Sequence, residues 1–199
     1  MSSNALIVID IQNDFCPGGA LAVEGGHEIV PLVNGMITDF EHVILTQDWH
    51  PAGHSSFASS HERLAPFETK DMHYGPQTLW PDHCVQGTGG AKFHPELIWD
   101  SAELVLRKGF RRAIDSYSAF FENDHETPTG LGGYLKERRI SELTLVGLAT
   151  DYCVAYSALD AAKLGFKVAV RLDACRAIDL DGSLEIMIGK MRDAGVTLK

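Results

Sequence analysis

Residues 142–154 read ELTLVGLATDYCV, an apolar segment that runs into a glycine and is followed by one cysteine, Cys153. The apolar residues 143–147 are typical of a strand buried on both faces of a parallel sheet. A helical pattern begins after them, so Cys153 is expected at a helix N-terminus, where unpaired backbone N–H groups favour a thiolate. Cys153 is therefore a candidate nucleophile. The alternative is a small apolar core residue, the usual role of a lone buried cysteine.

Strands and helices alternate along the rest of the chain. Each predicted strand is a short apolar run, and each predicted helix has apolar residues at helical spacing. The alternation predicts a three-layer α/β/α fold with a central, mostly parallel sheet of about six strands. Strands are expected at residues 5–10, 42–48, 103–108, 143–147, 167–173 and 196–198, and helices at residues 28–40, 131–139, 152–164 and 181–194.

Size and charge limit the possible functions. The length of 199 residues and the hydrophobic content of 45% fit one domain spanning residues 1–199. The net charge of −10 argues against nucleic acid or an anionic membrane surface as a partner, since both require a basic surface. No apolar run is long enough to span a membrane, and the start of the chain has no secretory signal pattern. The chain is expected to be cytoplasmic, and its four cysteines have no paired spacing, which together favour free thiols; Cys16, Cys84 and Cys175 are expected to be structural.

Four chemically useful side chains lie at or just after the ends of predicted strands. In a parallel sheet these ends share one edge, and ligands bind outside that edge. The structure is therefore expected to bring together Asp10, Asp48, Lys108 and Cys153. Asp10 and Lys108 could be only a structural ion pair, but a buried pair stabilises weakly and more often marks a site. Asp173, at the end of the fifth strand, is assigned no role.

The long irregular region 48–95 contains most of the histidines of the chain. A connection of this length in a compact domain suggests a function. Asp48 and His50 stand two residues apart where a strand ends, and His83 is the candidate third partner. One carboxylate and two imidazoles form a plausible ligand set for a divalent transition metal with open positions. For any single histidine, an ordinary loop hydrogen bond is the alternative.

Five motifs stand in the order and spacing of one known family. The chain resembles the nicotinamidases (pyrazinamidases) of the cysteine-hydrolase superfamily, which also contains the isochorismatases. The resemblance covers nearly the whole chain, and five motifs in register make it specific. The motifs are VIDIQNDFCPGG (8–19), TQDWHPAGHSSFAS (46–59), LWPDHCVQGTGGAKFH (79–94), RKG (107–109) and GLATDYCV (147–154).

The resemblance implies a catalytic triad and a metal site. The triad consists of Asp10, Lys108 and Cys153, the residues that the strand-end argument also selects. One divalent ion, with zinc favoured over manganese or iron, is held by Asp48, His50 and His83. Relatives differ in whether the position of His54 contacts the metal.

The resemblance also implies how a flat aromatic amide is bound. Phe15 and Trp80 match ring-packing positions, and Tyr117 is a weaker third that could equally be ordinary core packing. The metal would take the pyridine nitrogen, with activation of a water as the less favoured alternative. The backbone N–H groups of Ala149 and Cys153 would form an oxyanion hole, and the Leu148–Ala149 peptide is expected to be cis.

The implied activity is the hydrolysis of nicotinamide to nicotinate and ammonia through a thioester, a reaction of NAD salvage. Two alternatives stay open: a metal-free isochorismatase-like hydrolase, which would not need the three metal ligands, and a hydrolase of another small amide. A non-enzymatic binding module would be expected to lack Cys153 or Asp10, and the chain has both. Assembly into a homo-oligomer is possible.

Overall fold

A computed structural model describes residues 3–199. Its centre is a six-stranded sheet in which every neighbouring pair is parallel, with the strand order β5-β2-β1-β6-β7-β8. The strands are β1 (Ser3–Ile9), β2 (His42–Asp48), β5 (Leu104–Lys108), β6 (Ile140–Leu148), β7 (Lys167–Arg176) and β8 (Thr197–Leu198). Two further strands, β3 (Thr69–Met72) and β4 (Gly75–Thr78), form a separate antiparallel hairpin. The predicted α/β class and the six sheet strands are confirmed.

Helices and long connections cover the two faces of the sheet. The α-helices are α1 (Val30–Ile37), α2 (Leu131–Glu137), α3 (Ala155–Lys163) and α4 (Ser183–Asp193). Side chains of α2, α3 and α4 join the core on one face, and those of α1 and of the connections around Phe15 and Trp80 join the core on the other. The fold therefore has the three predicted layers.

The central strand β1 shows why the sheet is buried on both faces. Ile7 and Ile9 belong to one core, while Leu6 and Val8 belong to the other, because successive side chains of a strand point to opposite faces. All four are at most 1% exposed. Burying one such side chain contributes about 1.5–3 kcal/mol, so the uninterrupted apolar pattern stabilises both layers.

The predicted helices are shorter than their sequence patterns. The pattern over 28–40 is a 3-10 turn, Gly26–Ile29, followed by α1, and the pattern over 181–194 begins with a 3-10 turn, Leu180–Gly182. Before α3, residues Thr150–Val154 form a π-helical turn. None of the described helices is long and apolar enough to cross a membrane. The four cysteines are free and buried, as expected.

Candidate active site

The ends of the central strands place four side chains at one edge of the sheet. Asp10 directly follows β1, Asp48 ends β2, Lys108 ends β5, and Cys153 follows β6. All four are at most 6% exposed. The structure therefore brings together residues that lie as far as 143 positions apart, as expected for the carboxyl ends of parallel strands.

Lys108 contacts the other three residues of this group. Its Nζ lies 2.8 Å from Asp10 Oδ2 and 2.6 Å from Asp48 Oδ1, and it donates to the Cys153 sulfur at 3.3 Å. The carbonyl oxygen of Ser116 accepts a further bond from it at 3.1 Å. Burial lowers the pKa of Lys108, but Asp10 and Asp48 raise it well above its usual value. The lysine is therefore a fixed cation between the cysteine and two carboxylates.

Cys153 does not begin an α-helix, contrary to the expectation from sequence. It lies in the π-helical turn, and α3 begins two residues later at Ala155. Burial raises the pKa of the Cys153 thiol well above its usual value, outweighing the lowering by Lys108. A base beside the sulfur would therefore assist removal of its proton.

Asp10 is the carboxylate placed to act as that base. Its carboxylate and the Cys153 sulfur have ligand atoms within 4.8 Å of each other. Burial raises the pKa of Asp10, Lys108 lowers it, and the nearby Asp48 raises it again, with a raised pKa as the net result. A carboxyl group with a raised pKa accepts a proton more readily than an ordinary aspartate.

Asp48, His50 and His83 form a second group that shares Asp48 with the first. The Oδ2 of Asp48 lies 3.3 Å from His50 Nε2 and 3.6 Å from His83 Nε2. Burial alone would raise the pKa of Asp48, but Lys108 and His50 lower it well below its usual value. Asp48 is therefore an ionised carboxylate aimed at two imidazoles.

The hydrogen bonds of the two imidazoles leave one nitrogen of each facing Asp48. The Nδ1 of His50 bonds to the carbonyl of Gly109 at 2.9 Å, and the Nδ1 of His83 bonds to that of Pro81 at 2.7 Å. Each Nδ1 therefore donates to a carbonyl oxygen, and each Nε2 is directed at Asp48. His50 Nε2 is buried and has no hydrogen-bond partner. A buried ring nitrogen without a hydrogen-bond partner, beside a carboxylate, fits a ligand of a divalent metal ion.

Gly109 is required at its position by the ring of His50. Its φ is 63°, and a Cβ there would collide with Cε1 and Nδ1 of the imidazole. The glycine thus allows the backbone carbonyl to approach His50 and fix its tautomer.

His54 is not part of the metal group in this structure. Its Nε2 bonds to the carbonyls of Arg111 and Ile114 at 2.9 and 3.1 Å, and its Nδ1 bonds to Ser56. Both ring nitrogens are therefore occupied by protein groups. His54 instead supports His50, with the two ring centroids 4.4 Å apart.

A narrow cavity lies between the two groups. Cys153 and Ala149 form part of its wall, and Asp48 and His83 form another part. The three predicted ring-packing residues, Phe15, Trp80 and Tyr117, all line it. The Leu148–Ala149 peptide is cis, as the family resemblance implies. Larger cavities lie elsewhere on the surface, but they contain neither the cysteine nor the metal group.

Several residues of this cavity were not predicted from the sequence. The additional wall residues are Leu21, Asp115, Tyr152 and Ile178. Gln77, on β4, donates to Asp115 Oδ2 at 3.1 Å and to the Tyr117 hydroxyl at 2.7 Å. The sequence DSYS (115–118) lies a few residues after RKG and could have indicated Asp115. It supplies a carboxylate, a carbonyl that accepts from Lys108 and the tyrosine in succession. Asp173, which was given no role, is exposed and pairs with Arg171 outside the cavity.

Comparisons with known proteins show the family of the chain. The family model of the isochorismatase domain matches residues 4–198. A nicotinamidase of Acinetobacter baylyi is 55% identical over 192 residues, which cover 96% of this chain and 90% of the relative.

Two solved structures extend the comparison. The structure of an Acinetobacter baumanii nicotinamidase and pyrazinamidase has a TM-score of 0.98 at 55% identity and covers 100% of this chain and 96% of that one. A pyrazinamidase of Pyrococcus horikoshii in complex with zinc has a TM-score of 0.79 at 34% identity and covers 99% and 98%. The similarity thus extends over the whole sheet.

Proposed function

The chain belongs to the isochorismatase family, and we propose that it is a nicotinamidase, an amidohydrolase that converts nicotinamide to nicotinate and ammonia. The observation that carries this proposal is that one cavity is lined both by Cys153 and by the metal-group residues Asp48 and His83. The family match over residues 4–198 and the similar nicotinamidases support the same activity. The family match also supports a single catalytic domain over residues 1–199.

The residues of the cavity have complementary roles in this proposal. Cys153 attacks the amide carbonyl carbon, and its proton passes to Asp10. The carbon–nitrogen bond then breaks as Asp10 protonates the departing nitrogen, because an amide nitrogen leaves poorly unless it is protonated. Ammonia departs and the acyl group remains on the sulfur as a thioester.

The second half of the reaction releases the product. Asp10, again a carboxylate, removes a proton from a water molecule that attacks the thioester carbonyl carbon. The carbon–sulfur bond then breaks, Asp10 returns the proton to the sulfur, and nicotinic acid leaves and loses its proton to the solvent. The backbone N–H groups of Ala149 and Cys153 meet the negative charge on the carbonyl oxygen in both steps. Lys108 remains a cation throughout and balances the charge of Asp10 and of the sulfur.

Asp48, His50 and His83 would hold one divalent ion. Three protein ligands are typical of a site with open positions, and the zinc-bound pyrazinamidase structure supports zinc over manganese or iron. When bound, the ion supplies a coordination position for the pyridine nitrogen. Phe15, Trp80 and Tyr117 pack around the ring and turn its amide toward Cys153.

The buried free thiols support a reducing, cytoplasmic location, where nicotinate is available for NAD synthesis. A metal-free isochorismatase-like reaction does not account for the group of Asp48, His50 and His83. The unpartnered Nε2 of His50 favours the metal-dependent reaction over the metal-free one.

Ammonia release from nicotinamide, measured with and without a chelator, tests the proposal. The protein is expected to release ammonia, to lose this activity after chelation and to regain it when zinc is returned. Cys153→Ala is the matched control and should release none while keeping its fold, because a small side chain is tolerated at this buried position. Undiminished turnover by the alanine variant, or by metal-free protein, would contradict the mechanism.

Affinity for benzamide tests the role of the metal in binding the ring. Benzamide keeps the carboxamide but lacks the ring nitrogen. Its inhibition constant should therefore be much larger than the Kd of nicotinamide. Equal affinity for both would remove the ring-anchoring role even if the ion is present.

A further inference from the structure

One buried carboxylate in the cavity wall has no part in the chemistry above. Asp115 is 2% exposed and lines the same cavity as Asp48 and His83. A carboxylate is seldom buried this deeply unless it is paired with a cation or fully hydrogen-bonded.

The hydrogen bonds of Asp115 do not compensate its charge. Its Oδ1 accepts from the backbone N–H of Ser116 at 2.8 Å, and its Oδ2 accepts from Gln77 at 3.1 Å. Both donors are neutral. Within residues 3–199, no nitrogen of lysine, arginine or histidine lies within 4.0 Å of it.

Asp151 is the informative comparison. It is also a buried aspartate, 1% exposed, but it accepts from the backbone N–H groups of Ile178 and Asp179 and from the hydroxyl of Ser183. It lies outside the cavity that contains the metal group. Asp151 thus accepts from three donors, whereas Asp115 accepts from two and faces the cavity.

Two imidazoles lie close to Asp115. A carboxylate oxygen of Asp115 and ring nitrogens of His50 and His54 lie within 4.8 Å of one another. Asp115 does not join the group formed by Asp48, His50 and His83, so it is not positioned as one of the three ligands. It lies beside one ligand, His50, and acts on the site through its charge.

The charges of the buried site show what Asp115 would balance. Asp10, Asp48 and Asp115 provide three carboxylates, and Lys108 provides one ammonium group. When ionised, this set has two more negative than positive charges, which is the charge that one divalent cation neutralises. A charge close to a metal site but outside its ligands acts through the low-dielectric interior, where electrostatic interactions are strong.

We propose that Asp115 is a positioning residue that raises the affinity of the site for its divalent cation without binding the ion itself. The inference rests on the metal site of the proposed function. Removing the charge should weaken zinc binding by about 10- to 100-fold, the range found for residues that support metal ligands. The three ligands remain, so zinc should still bind at one ion per chain.

Zinc titration of the metal-free protein in competition with a chromophoric chelator tests this proposal. Wild type, Asp115→Asn and Asp151→Asn are compared, the last as a matched buried carboxylate. We expect weaker zinc binding only in Asp115→Asn. Thermal unfolding without metal gives a second readout: Asp115→Asn should be at least as stable as wild type, because it removes an uncompensated buried charge.

The outcomes separate this inference from the proposed function. Failure of wild type to bind zinc would overturn the metal site itself. Zinc binding by wild type with equal affinity in Asp115→Asn would overturn only the role of Asp115. A lower metal-free stability of Asp115→Asn with unchanged zinc affinity would identify a structural residue. If Asp115→Asn does not fold, Asp115→Ser removes the same charge with a smaller side chain and should show the same loss of affinity.

Discussion

At the scale of single residues, Asp10 has a backbone conformation suited to its position. Its φ is 49°, in the left-handed region, where asparagine and aspartate are tolerated better than other residues with a side chain. Thr46 donates to its Oδ1 at 2.7 Å, and Lys108 contacts its Oδ2. The turn after β1 thus directs one carboxylate oxygen toward the lysine and holds the other.

Asp10→Asn tests whether Asp10 acts as the base that accepts the thiol proton. Asparagine keeps the size and the backbone preference but cannot accept the thiol proton, so turnover should fall by about 10²- to 10⁴-fold. The measurement is the rate of ammonia release per folded molecule, with folding checked by circular dichroism. A variant that is less stable but turns over at the normal rate would show that Asp10 is only an ion-pair partner.

Strand ends account for the predicted catalytic group. Asp10, Asp48, Lys108 and Cys153 could be grouped because parallel strands end at one edge. Asp115 and Gln77 could not be grouped in this way. They meet through a hydrogen bond across 38 positions that no strand pattern specifies.

At the scale of elements, the backbones of β6 and β1 lie close together at Gly147, immediately before the site. Gly147 has φ 123°, and a Cβ there would collide with the backbone of Ile9. The register of the two strands also places Gly147 opposite Ile9, one residue before Asp10. This glycine therefore determines how near the cysteine turn lies to the catalytic aspartate.

Gly147→Ala should destabilise the protein strongly. Gly165→Ala is the control, because Gly165 also has a positive φ, 89°, but a Cβ at that position would meet no other atom within 4 Å. The control should lose roughly 1 kcal/mol from its conformation alone, and Gly147→Ala should lose clearly more. Denaturant unfolding measures both. Equal losses would show that contact with β1 does not restrict this position.

The hairpin of β3 and β4 was not predicted from the sequence. Its strands are four residues each, TKDM and GPQT, and have neither an apolar run nor regular alternation. Its position depends on Gln77, which is fully buried and bonds to the Tyr117 hydroxyl. The six sheet strands were predictable because burial on both faces requires a continuous apolar pattern, a requirement that the hairpin does not have.

Gln77→Met tests whether this hairpin shapes the ring pocket. Methionine fills a similar volume but donates no hydrogen bond to Tyr117, so the KM for nicotinamide should rise by up to about tenfold with a smaller change in kcat. Lys70→Met is the control, since Lys70 pairs with Gln77 in the hairpin but bonds to His61. A similar KM in both variants would show that the hairpin does not position the ring.

At the scale of the whole molecule, protein contacts hold the metal ligands independently of any ion. Asp48 ends a sheet strand, the backbone N–H of His50 donates to the carbonyl of Cys84 at 3.0 Å, and each imidazole bonds to a backbone carbonyl through Nδ1. Two hydrophobic cores on opposite faces of the sheet stabilise the fold without the ligands. Metal removal should therefore abolish activity and leave the protein folded.

Thermal unfolding of metal-free and zinc-loaded protein measures this separation. An ion that binds only the folded state adds about 2.7 kcal/mol when its free concentration is 100 times its Kd. For a chain of this size, that corresponds to a rise in Tm of about 5–10 °C. The metal-free protein should keep its circular dichroism spectrum and a cooperative transition at the lower Tm. If chelation instead removes the cooperative transition, the ion is structural. Loss of activity on chelation would then reflect unfolding and not the lost contact between the ion and the substrate ring.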